Sequence, residues 1–373
     1  MTIEKIQRTP TADSSLHIIQ VNPRLDQRWV TLLNTLPEGL IYHHPIWLEV
    51  LEEAYGYRPL HLACEDASGQ LVGILPLYHA QGLLSGHNIS SLPRTPVAGP
   101  LASNDQALAL LAGAAIEHVR TISGARFQLK MLTNNLDGLV DGLVSAPWRE
   151  TYLLELPERP ELLRFGNSRN HAQIKRAVNK AAKQGIQISL AETQHELQDW
   201  YQLYLDTMRW VVVPPRPLRF FKIAWERLQP HGLMRLLLAK RYEAGKSRTI
   251  AGLLLLMAGQ TVFYAFSGWA RADQELRPND ALHWRAIHDA YAEGFRYYDF
   301  GEVSKSTPGL AEFKSKWGTE RKWLYRYYYP APRETEINML DARGSLSQLT
   351  HATWQRLPLK TTALLGDLAH RIF

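Results

Sequence analysis

Lys314 lies among apolar residues in the segment YYDFGEVSKSTPGLAEFKSKWGTE, where its amine could do chemistry. Thr307-Pro308 is typical of a helix start, and Gly318 of a helix end. On a helical wheel Lys314 lies about 40° from Leu310, on the shoulder of the apolar face. Either the stem packs and the ammonium reaches water, or the ammonium lies in a cleft and stabilises a developing negative charge.

Acidic residues precede this helix at the end of a predicted strand. Asp299, Glu302 and Ser304 all follow the apolar run that starts at Tyr297. Crevices at strand ends are favoured ligand sites. Asp299 or Glu302 could accept a proton from an attacking amine, whereas the simpler alternative is that Asp299 accepts hydrogen bonds from loop amides.

A second cluster of charge lies on a predicted helix over Asn167–Gly185. Arg169, Arg176, Lys180 and Lys183 fall within about 60° of one another on the wheel. Such a stripe can bind phosphate groups, or it can be a solvated helix face. No acidic residue interrupts the stripe, which favours the binding interpretation.

Composition limits the classes of protein and site. With 373 residues, two domains are expected. The single cysteine, Cys64, excludes a disulfide within the chain and a cysteine-based zinc site, and the 14 histidines lack ligand spacing, so no metal is predicted. The net charge of +6 is compatible with an anionic partner. Without a signal-like N-terminus or a spanning apolar run, a cytoplasmic protein is predicted.

The predicted order of elements repeats within the chain. LVGILPL (Leu71–Leu77) and IAGLLLL (Ile250–Leu256) match in pattern, with Gly73 and Gly252 at equivalent places. A repeat about half a chain apart indicates duplicated domains. Neighbouring antiparallel strands followed by alternating helices and strands predict an α+β fold, with mixed sheets flanked by helices.

The predicted domains follow from this repeat. We expect a disordered lead-in over 1–15, a first domain over 16–157, a second domain with the catalytic motif over 158–331, and an extension over 332–373. The extension ends in an amphipathic helix that is predicted to pack on the first domain. Peripheral contact with a membrane is the alternative.

Several stretches resemble the Fem-type transferases, and most closely the FemAB-related proteins of bacterial envelope and exopolysaccharide gene sets. They include YYDFGEVSKSTPGLAEFKSKWG, LRPNDALHW, GNSRNHAQIKRAVNKAAKQGIQI and YQLYLDTMRW, within about Leu36–Tyr329. The resemblance implies two tandem GNAT-like (acetyltransferase-type) domains. It also implies transfer of an amino acid from aminoacyl-tRNA to an amine of a peptidoglycan precursor.

The resemblance also implies roles for particular residues. Phe313 and Lys314 would lie at the active site, with Asp299, Glu302 or water accepting the proton of the amine. Arg209 and the basic stripe could hold phosphates. The full set of predicted substrate-binding residues is Arg169, Arg176, Lys180, Arg209, Tyr264, Ser267, Asn279, Trp284 and Ser304.

The sequence departs from the related patterns in two places. Val303 intervenes before Ser304, and RADQELRPND replaces the glycine-rich coenzyme A signature of GNAT enzymes. The predicted function is an N-acyltransferase in envelope, peptidoglycan or exopolysaccharide biosynthesis. The alternative is a non-catalytic protein that binds anionic envelope precursors or nucleic acid.

The substrates and partners stay open at this point. The donor could be aminoacyl-tRNA, acyl-CoA or acyl carrier protein, used as a co-substrate with no tightly bound cofactor. The acceptor is an amine-bearing envelope precursor, and tRNA and the inner face of the membrane are further candidate partners. The oligomeric state is not predicted.

Overall fold

The computed structural model describes residues 16–82, 86–159, 162–243, 245–332 and 348–372. The predicted disordered lead-in lies outside these residues. The helices of the first half are α1 (Gln27–Thr35), α2 (Pro45–Tyr55) and α3 (Asp105–Arg120). Those of the second half are α4 (Ser168–Lys183), α5 (Gln194–Trp210), α6 (Leu218–Leu228), α7 (Pro278–Ala292) and α8 (Pro308–Ser315). Two more follow, α9 (Gln348–Gln355) and α10 (Leu359–Ile372).

The strands of the first half are β1 (His17–Gln20), β2 (Arg58–Pro59), β3 (Leu62–Glu65), β4 (Leu71–Leu75), β5 (Tyr78–Gly82), β6 (Gly86–Ser90), β7 (Leu101–Ala102), β8 (Arg126–Met131) and β9 (Val144–Glu155). Those of the second half are β10 (Ile186–Leu190), β11 (Met234–Glu243), β12 (Lys246–Ala258), β13 (Thr261–Trp269), β14 (Tyr297–Val303) and β15 (Glu320–Tyr329).

These strands form two sheets. One has four strands in the order β1-β3-β4-β7, and the other has eleven in the order β10-β11-β12-β13-β14-β9-β15-β8-β6-β5-β2. The pairs β13–β14 and β6–β8 are parallel, and the other pairs are antiparallel. Helices cover the sheets, so the predicted α+β class is confirmed.

Strands from the two halves are interleaved in the large sheet. β9, from the first half, lies between β14 and β15, and β15 pairs with β8 as well as with β9. One hydrophobic core also draws residues from both halves, including Trp47 and Phe263. The two halves therefore share a sheet and a core, which places β9, β14 and β15 side by side.

The two glycines of the sequence repeat share a packing role. A Cβ on Gly73 would lie 2.9 Å from Leu111 Cδ1 on α3, and a Cβ on Gly252 would overlap Trp200 on α5. Each glycine lets a helix approach a central strand closely, because a side chain there would collide with the helix.

The C-terminal helices pack mainly along α5, in the second half. Arg209 Nη1 donates to the Leu357 carbonyl at 2.9 Å, and Gln355 Nε2 donates to the Trp210 carbonyl at 2.8 Å. The far end of α10 reaches the first half, where Arg94 Nη2 donates to the His370 carbonyl at 3.0 Å. The extension therefore bridges the halves instead of packing on the first domain alone. None of the helices in the described ranges is long and apolar enough to cross a bilayer.

Candidate active site

A cavity of about 790 Å³ opens between the two halves. The first half supplies the loop 94–97 and residues of β8 and β9, and the second half supplies β13, β14, α8 and the loop 213–216. Ala369 and His370 of α10 complete the wall. A volume of this size accommodates a drug-sized substrate.

A bulge in β14 shapes the floor of the cavity. The pairing of β14 with β9 shifts register between Asp299 and Glu302, and Gly301 between them has φ +75°. Glycine is favoured there because it adopts positive φ without a steric penalty. Asp299 Oδ1 accepts hydrogen bonds from the Gly301 amide and from Thr151 Oγ1, both at 2.7 Å. These bonds hold the bulge, and the Gly301 and Glu302 carbonyls accept hydrogen bonds from α8.

The Lys314 ammonium is hydrogen bonded to those two carbonyls. Nζ donates to the Gly301 carbonyl at 2.9 Å and to the Glu302 carbonyl at 3.1 Å, and it lies 5.6 Å from the centre of the Tyr264 ring. The residue is 3% exposed, so the ammonium does not snorkel to bulk water. Because an ammonium has three N–H donors, one remains for a ligand in the cavity.

Burial sets the charge state of this lysine. Loss of hydration lowers the pKa of Lys314 to about 8, against the opposing effects of Asp299 and Glu302. The ammonium is therefore the main form at neutral pH, and it is poorly hydrated. A cation of this kind interacts strongly with a nearby negative charge.

Two carboxylates accompany Lys314. Asp299 is 6% exposed, and burial raises its pKa despite the hydrogen bonds from Thr151 and Gly301. Glu302 Oε1 accepts a hydrogen bond from Arg149 at 2.7 Å. Its other oxygen, Oε2, is buried without a partner among the described residues. The simpler alternative for Asp299, a hydrogen bond from a loop amide, is present in the structure. Asp299 also lines the cavity.

The cavity carries more positive than negative charge. Of the described residues that line it, the carboxylates are Asp299 and Glu302, whereas the lysines and arginines number six. These basic residues are Arg94, Lys130, Arg149, Arg216, Lys314 and Arg326. Concentrated charge of one sign in a cleft favours a ligand of the opposite sign. The geometry suits a substrate that carries an anionic group.

The sequence analysis did not identify most of these basic residues as site residues. Lys130 interrupts the apolar strand β8 and is 5% exposed, with Nζ donating to the Leu92 and Thr95 carbonyls at 2.9 Å each. Burial and the nearby arginines hold its pKa well below the ordinary value. A lysine next to apolar residues in the segment RFQLKM was a local signal that could have identified this side of the cavity.

The arginines are held by aromatic side chains. Arg216 Nη1 donates to Tyr55 Oη at 2.9 Å, and its guanidinium lies 4.6 Å from the centre of the Phe220 ring. The Arg326 guanidinium stacks 3.3 Å from the centre of the Trp148 ring. Stacking orients a guanidinium while leaving N–H donors for a ligand.

The structure brings together five of the predicted residues. Lys314, Asp299, Glu302, Tyr264 and Ser267 all line the cavity. Tyr264 Oη and Ser267 Oγ are hydrogen bonded at 2.7 Å, and the Tyr264 ring lies beneath Lys314. The predicted grouping around the α8 lysine is therefore a spatial cluster.

The other predicted residues are not among the described residues that line the cavity. Phe313 packs beside His283, at a ring separation of 5.5 Å. Trp284 packs on Phe165, at 5.5 Å, and Ser304 Oγ is hydrogen bonded to Ser306 Oγ at 2.9 Å. These contacts are local packing and loop contacts.

The predicted phosphate-binding residues lie elsewhere on the surface. Arg169, Arg176 and Lys180 lie on the exposed face of α4. Arg209 is bound by Asp206 and by the Leu357 carbonyl, so it anchors the C-terminal segment. The phosphate-binding role of the stripe stays a prediction outside the cavity.

The predicted substrate-binding residue Asn279 lies at the start of α7. α7 begins at Pro278 with Arg277 as its cap, in a left-handed conformation. Pro278 lacks an amide hydrogen, which suits the first helical position. Asp280, 3% exposed, forms an ion pair with Lys316, and Asn279 is half-buried beside it.

A comparison with known proteins matches part of the second half. A family model described as an acetyltransferase (GNAT) domain matches residues 168–315, from α4 to α8. None of the curated proteins compared with the sequence matches it. Within the described part of the chain, no group of three or more His, Cys, Asp or Glu side chains could hold a metal ion.

Several solved structures share the whole architecture. The structure of FemX is 16% identical and covers 87% of this chain and 100% of its own, with a TM-score of 0.64. A C-terminal domain from Agrobacterium fabrum, named for lysylphosphatidylglycerol synthetase, is 13% identical and covers 86% and 96%, with a TM-score of 0.55. A tandem GNAT protein from the clavulanic acid biosynthesis pathway is 10% identical and covers 86% and 100%, with a TM-score of 0.51. The predicted resemblance is confirmed at the level of fold: this chain has a FemAB-related fold of tandem GNAT-like domains.

Proposed function

We propose that the protein is an N-acyltransferase that moves an acyl or aminoacyl group from an activated ester or thioester to an amine in bacterial envelope or exopolysaccharide biosynthesis. The observation that carries the proposal is the buried Lys314 ammonium, which faces the cavity and has one N–H donor to spare. The GNAT match over residues 168–315, which includes this lysine, supports the same reaction class.

The proposed reaction uses Lys314 as an electrostatic catalyst. The acceptor amine attacks the acyl carbonyl, a C–N bond forms, and the carbonyl electron pair moves to oxygen. The resulting oxyanion accepts a hydrogen bond from Lys314 Nζ, which the Gly301 and Glu302 carbonyls already hold in place. A carboxylate takes the proton of the amine. Collapse of the intermediate breaks the C–O or C–S bond of the donor, and the same proton is passed to the departing alkoxide or thiolate.

The proposed base is Asp299. Its carboxylate lies in the bulge below Lys314, and burial raises its pKa, which makes it a better proton acceptor. Glu302 is the second candidate, but its carboxylate is already engaged by Arg149.

Changing Asp299 to Asn tests this assignment. The amide oxygen can still accept from Thr151 and Gly301, so the bulge should persist. We expect turnover to fall about 100-fold. The wild-type kcat/KM–pH profile should have an acidic limb above the ordinary pKa range of Asp, because burial raises the pKa of Asp299, and the variant should lack that limb. Asp289→Asn, on the outer face of α7, is the control. An unchanged acidic limb in Asp299→Asn would assign the base to another group.

The cations of the cavity are proposed to hold an anionic part of a substrate, such as a phosphoryl or carboxylate group. Lys130, Arg94 and Arg216 come from three separate segments and converge on one end of the cavity. The solved domain named for lysylphosphatidylglycerol synthetase, an enzyme name that pairs an amino acid with an anionic lipid, is compatible with this arrangement.

We propose an aminoacyl or protein-bound donor in preference to coenzyme A. In this chain the first turn of α7, after the position that replaces the coenzyme A signature, contains the buried Asp280 carboxylate, which is paired with Lys316 at the end of α8. A carboxylate at a helix N-terminus occupies the place that favours a phosphate and would repel it. The described residues at this helix start therefore do not fit a pyrophosphate.

A ligand screen tests the choice of donor. We expect coenzyme A at about 1 mM to leave the thermal midpoint within about 1 °C of the free protein, because it lacks a cradle. A charged tRNA or an acylated carrier protein should raise it. A rise with coenzyme A that is lost in a Lys316→Met variant, but kept in Lys305→Met, would contradict this preference.

Product analysis tests the proposed function itself. The purified chain is incubated with charged tRNA, acyl-CoA or acylated carrier protein, together with an amine-bearing peptidoglycan peptide, and the acceptor mass is measured. The proposal predicts the mass of one added acyl or aminoacyl group. The cationic cavity would also suit a non-catalytic protein that binds anionic precursors, and that alternative predicts ligand binding without any mass change.

A further inference from the structure

We propose that α10 and the loop after α5 form a docking surface for an anionic membrane beside the mouth of the cavity. Five large apolar side chains are exposed there, and we call them the apolar rim: Trp210, Val211, Val213, Leu364 and Leu368. Leu364 is 68% exposed and Leu368 is 49% exposed. Clusters of exposed apolar side chains mark interaction sites more often than scattered single ones.

The two segments of the rim are joined by direct contacts. His370 Nε2 of α10 lies 3.0 Å from the Pro215 carbonyl oxygen, and Gln355 Nε2 of the preceding helix α9 donates to the Trp210 carbonyl at 2.8 Å. Gly366 packs so closely that a Cβ there would lie 2.5 Å from the same oxygen. The helix and the loop therefore present one continuous surface.

The exposed face of α10 has the pattern of an interfacial helix. Lys360, Leu364 and Leu368 follow at four-residue spacing, so they share a face. Thr362 and Gly366 lie on the buried side. A face with leucines beside a lysine can insert its apolar side chains into the headgroup region while the ammonium stays with the phosphates.

The charge around the rim selects an anionic surface. The segments 206–217 and 348–372 contain two carboxylates, and Asp206 is already bound by Arg209, while Asp367 is half-buried with a partner inside the protein. Lys360 and Arg356 are exposed, and the cationic cavity opens alongside. Such an excess of positive charge attracts anionic lipids. It would repel a second copy, whose matching patch carries the same charge.

The docking surface meets the cavity directly. Val213 of the apolar rim lines the cavity together with Ala369 and His370 of α10. Membrane contact would therefore place the mouth at the lipid surface. An amphiphilic substrate could then leave its apolar part in the membrane while its anionic group enters the cavity.

Vesicle sedimentation of the full chain tests this surface. With vesicles of phosphatidylcholine containing about 30 mol% phosphatidylglycerol, we expect the protein to sediment, and with phosphatidylcholine alone to stay mostly in solution. The double variant Leu364→Gln/Leu368→Gln should lower the partition constant at least roughly tenfold, because two apolar insertions are lost. Leu25→Gln is the matched control, since Leu25 is 82% exposed on the first half, outside the rim.

Three results would overturn the proposal. They are no sedimentation with the anionic vesicles, equal sedimentation of the double variant and the wild type, and a dimer in light scattering that the double variant converts to a monomer. The last result would assign the rim to a second copy. The readout is lipid binding and not turnover. Failure of the docking proposal can therefore be distinguished from failure of the proposed acyl transfer.

Discussion

Replacing Lys314 with Met should lower turnover by roughly 10²- to 10³-fold while leaving the protein folded. The loss corresponds to removing one preorganised donor to an oxyanion. Met retains the length and apolar character of the stem, so the packing against Tyr264 should survive. Substrate binding should change much less than turnover, because the four arginines of the cavity remain.

The same variant should gain stability at neutral pH. The pKa of Lys314 is about 8 in the folded chain and 10.5 ordinarily. Below pH 8 both states carry the proton, so folding bears the full cost of the buried charge. Between pH 8 and 10.5 the folded state loses the proton first, and the free energy of unfolding rises by up to roughly 3 kcal/mol. Lys314→Met should lack this rise and should exceed the wild type by roughly 1–2 kcal/mol at pH 7, because the lost carbonyl hydrogen bonds offset part of the gain.

Two measurements check this prediction. Product formation gives the turnover of the variant, and urea unfolding from pH 7 to 10.5 gives its stability. The wild-type rate should also fall as pH rises through about 8, since the ammonium is then lost. Lys305→Met is the control, because Lys305 is an exposed lysine in the loop before α8. Unchanged turnover in Lys314→Met would remove the central argument for acyl transfer.

Changing Gly268 to Ala should cost about 3 kcal/mol of unfolding free energy or more. Gly268 lies in β13, directly beneath α5. A Cβ there would overlap the Tyr204 amide nitrogen and lie 2.8 Å from the Leu203 carbonyl carbon. Backbone atoms of a helix cannot rotate away as a side chain can. The helix is also tied to the strand at this point, where Thr207 Oγ1 accepts a hydrogen bond from the Trp269 amide at 3.0 Å.

Displacement of α5 in this variant should also change the shape of the cavity. α5 carries Tyr204 and Met208, which line the cavity, and leads into the loop that holds Arg216. Displacing α5 would therefore move one wall relative to Lys314, and turnover should fall together with stability.

Urea unfolding measures the effect, with Gly113→Ala as the control. A Cβ on Gly113, inside α3, would meet nothing within 4 Å, so that variant should gain up to about 1 kcal/mol from the better helix propensity of alanine. If Gly268→Ala proved as stable as the wild type, α5 and β13 would not be packed as closely as described.

Local patterns were sufficient for the elements that carry the catalytic motif. The Thr-Pro start and the Gly318 end predicted a helix that the structure has at Pro308–Ser315. The wheel position of Lys314 predicted a lysine beside the apolar face, and the structure buries it. The repeated glycines, Gly73 and Gly252, predicted two related halves, and each glycine admits a helix to a central strand. These features depend on residues close in sequence, whose spacing follows directly from the geometry of helices and strands.

The sequence by itself thus determined the α+β class, the α8 lysine with its neighbouring carboxylates, and the resemblance in fold. Only the tertiary structure decided that β9 lies between β14 and β15, that Lys130, Arg216 and Arg326 line the same cavity as Lys314, and that α10 contributes to its wall. It also excluded Arg209 and the α4 stripe from that cavity. The physical reason is that the cavity lies where the two halves meet. The charged residues of the cavity come from elements far apart in the chain. Strand order and the packing between the halves depend on long-range contacts, which a local sequence pattern does not predict.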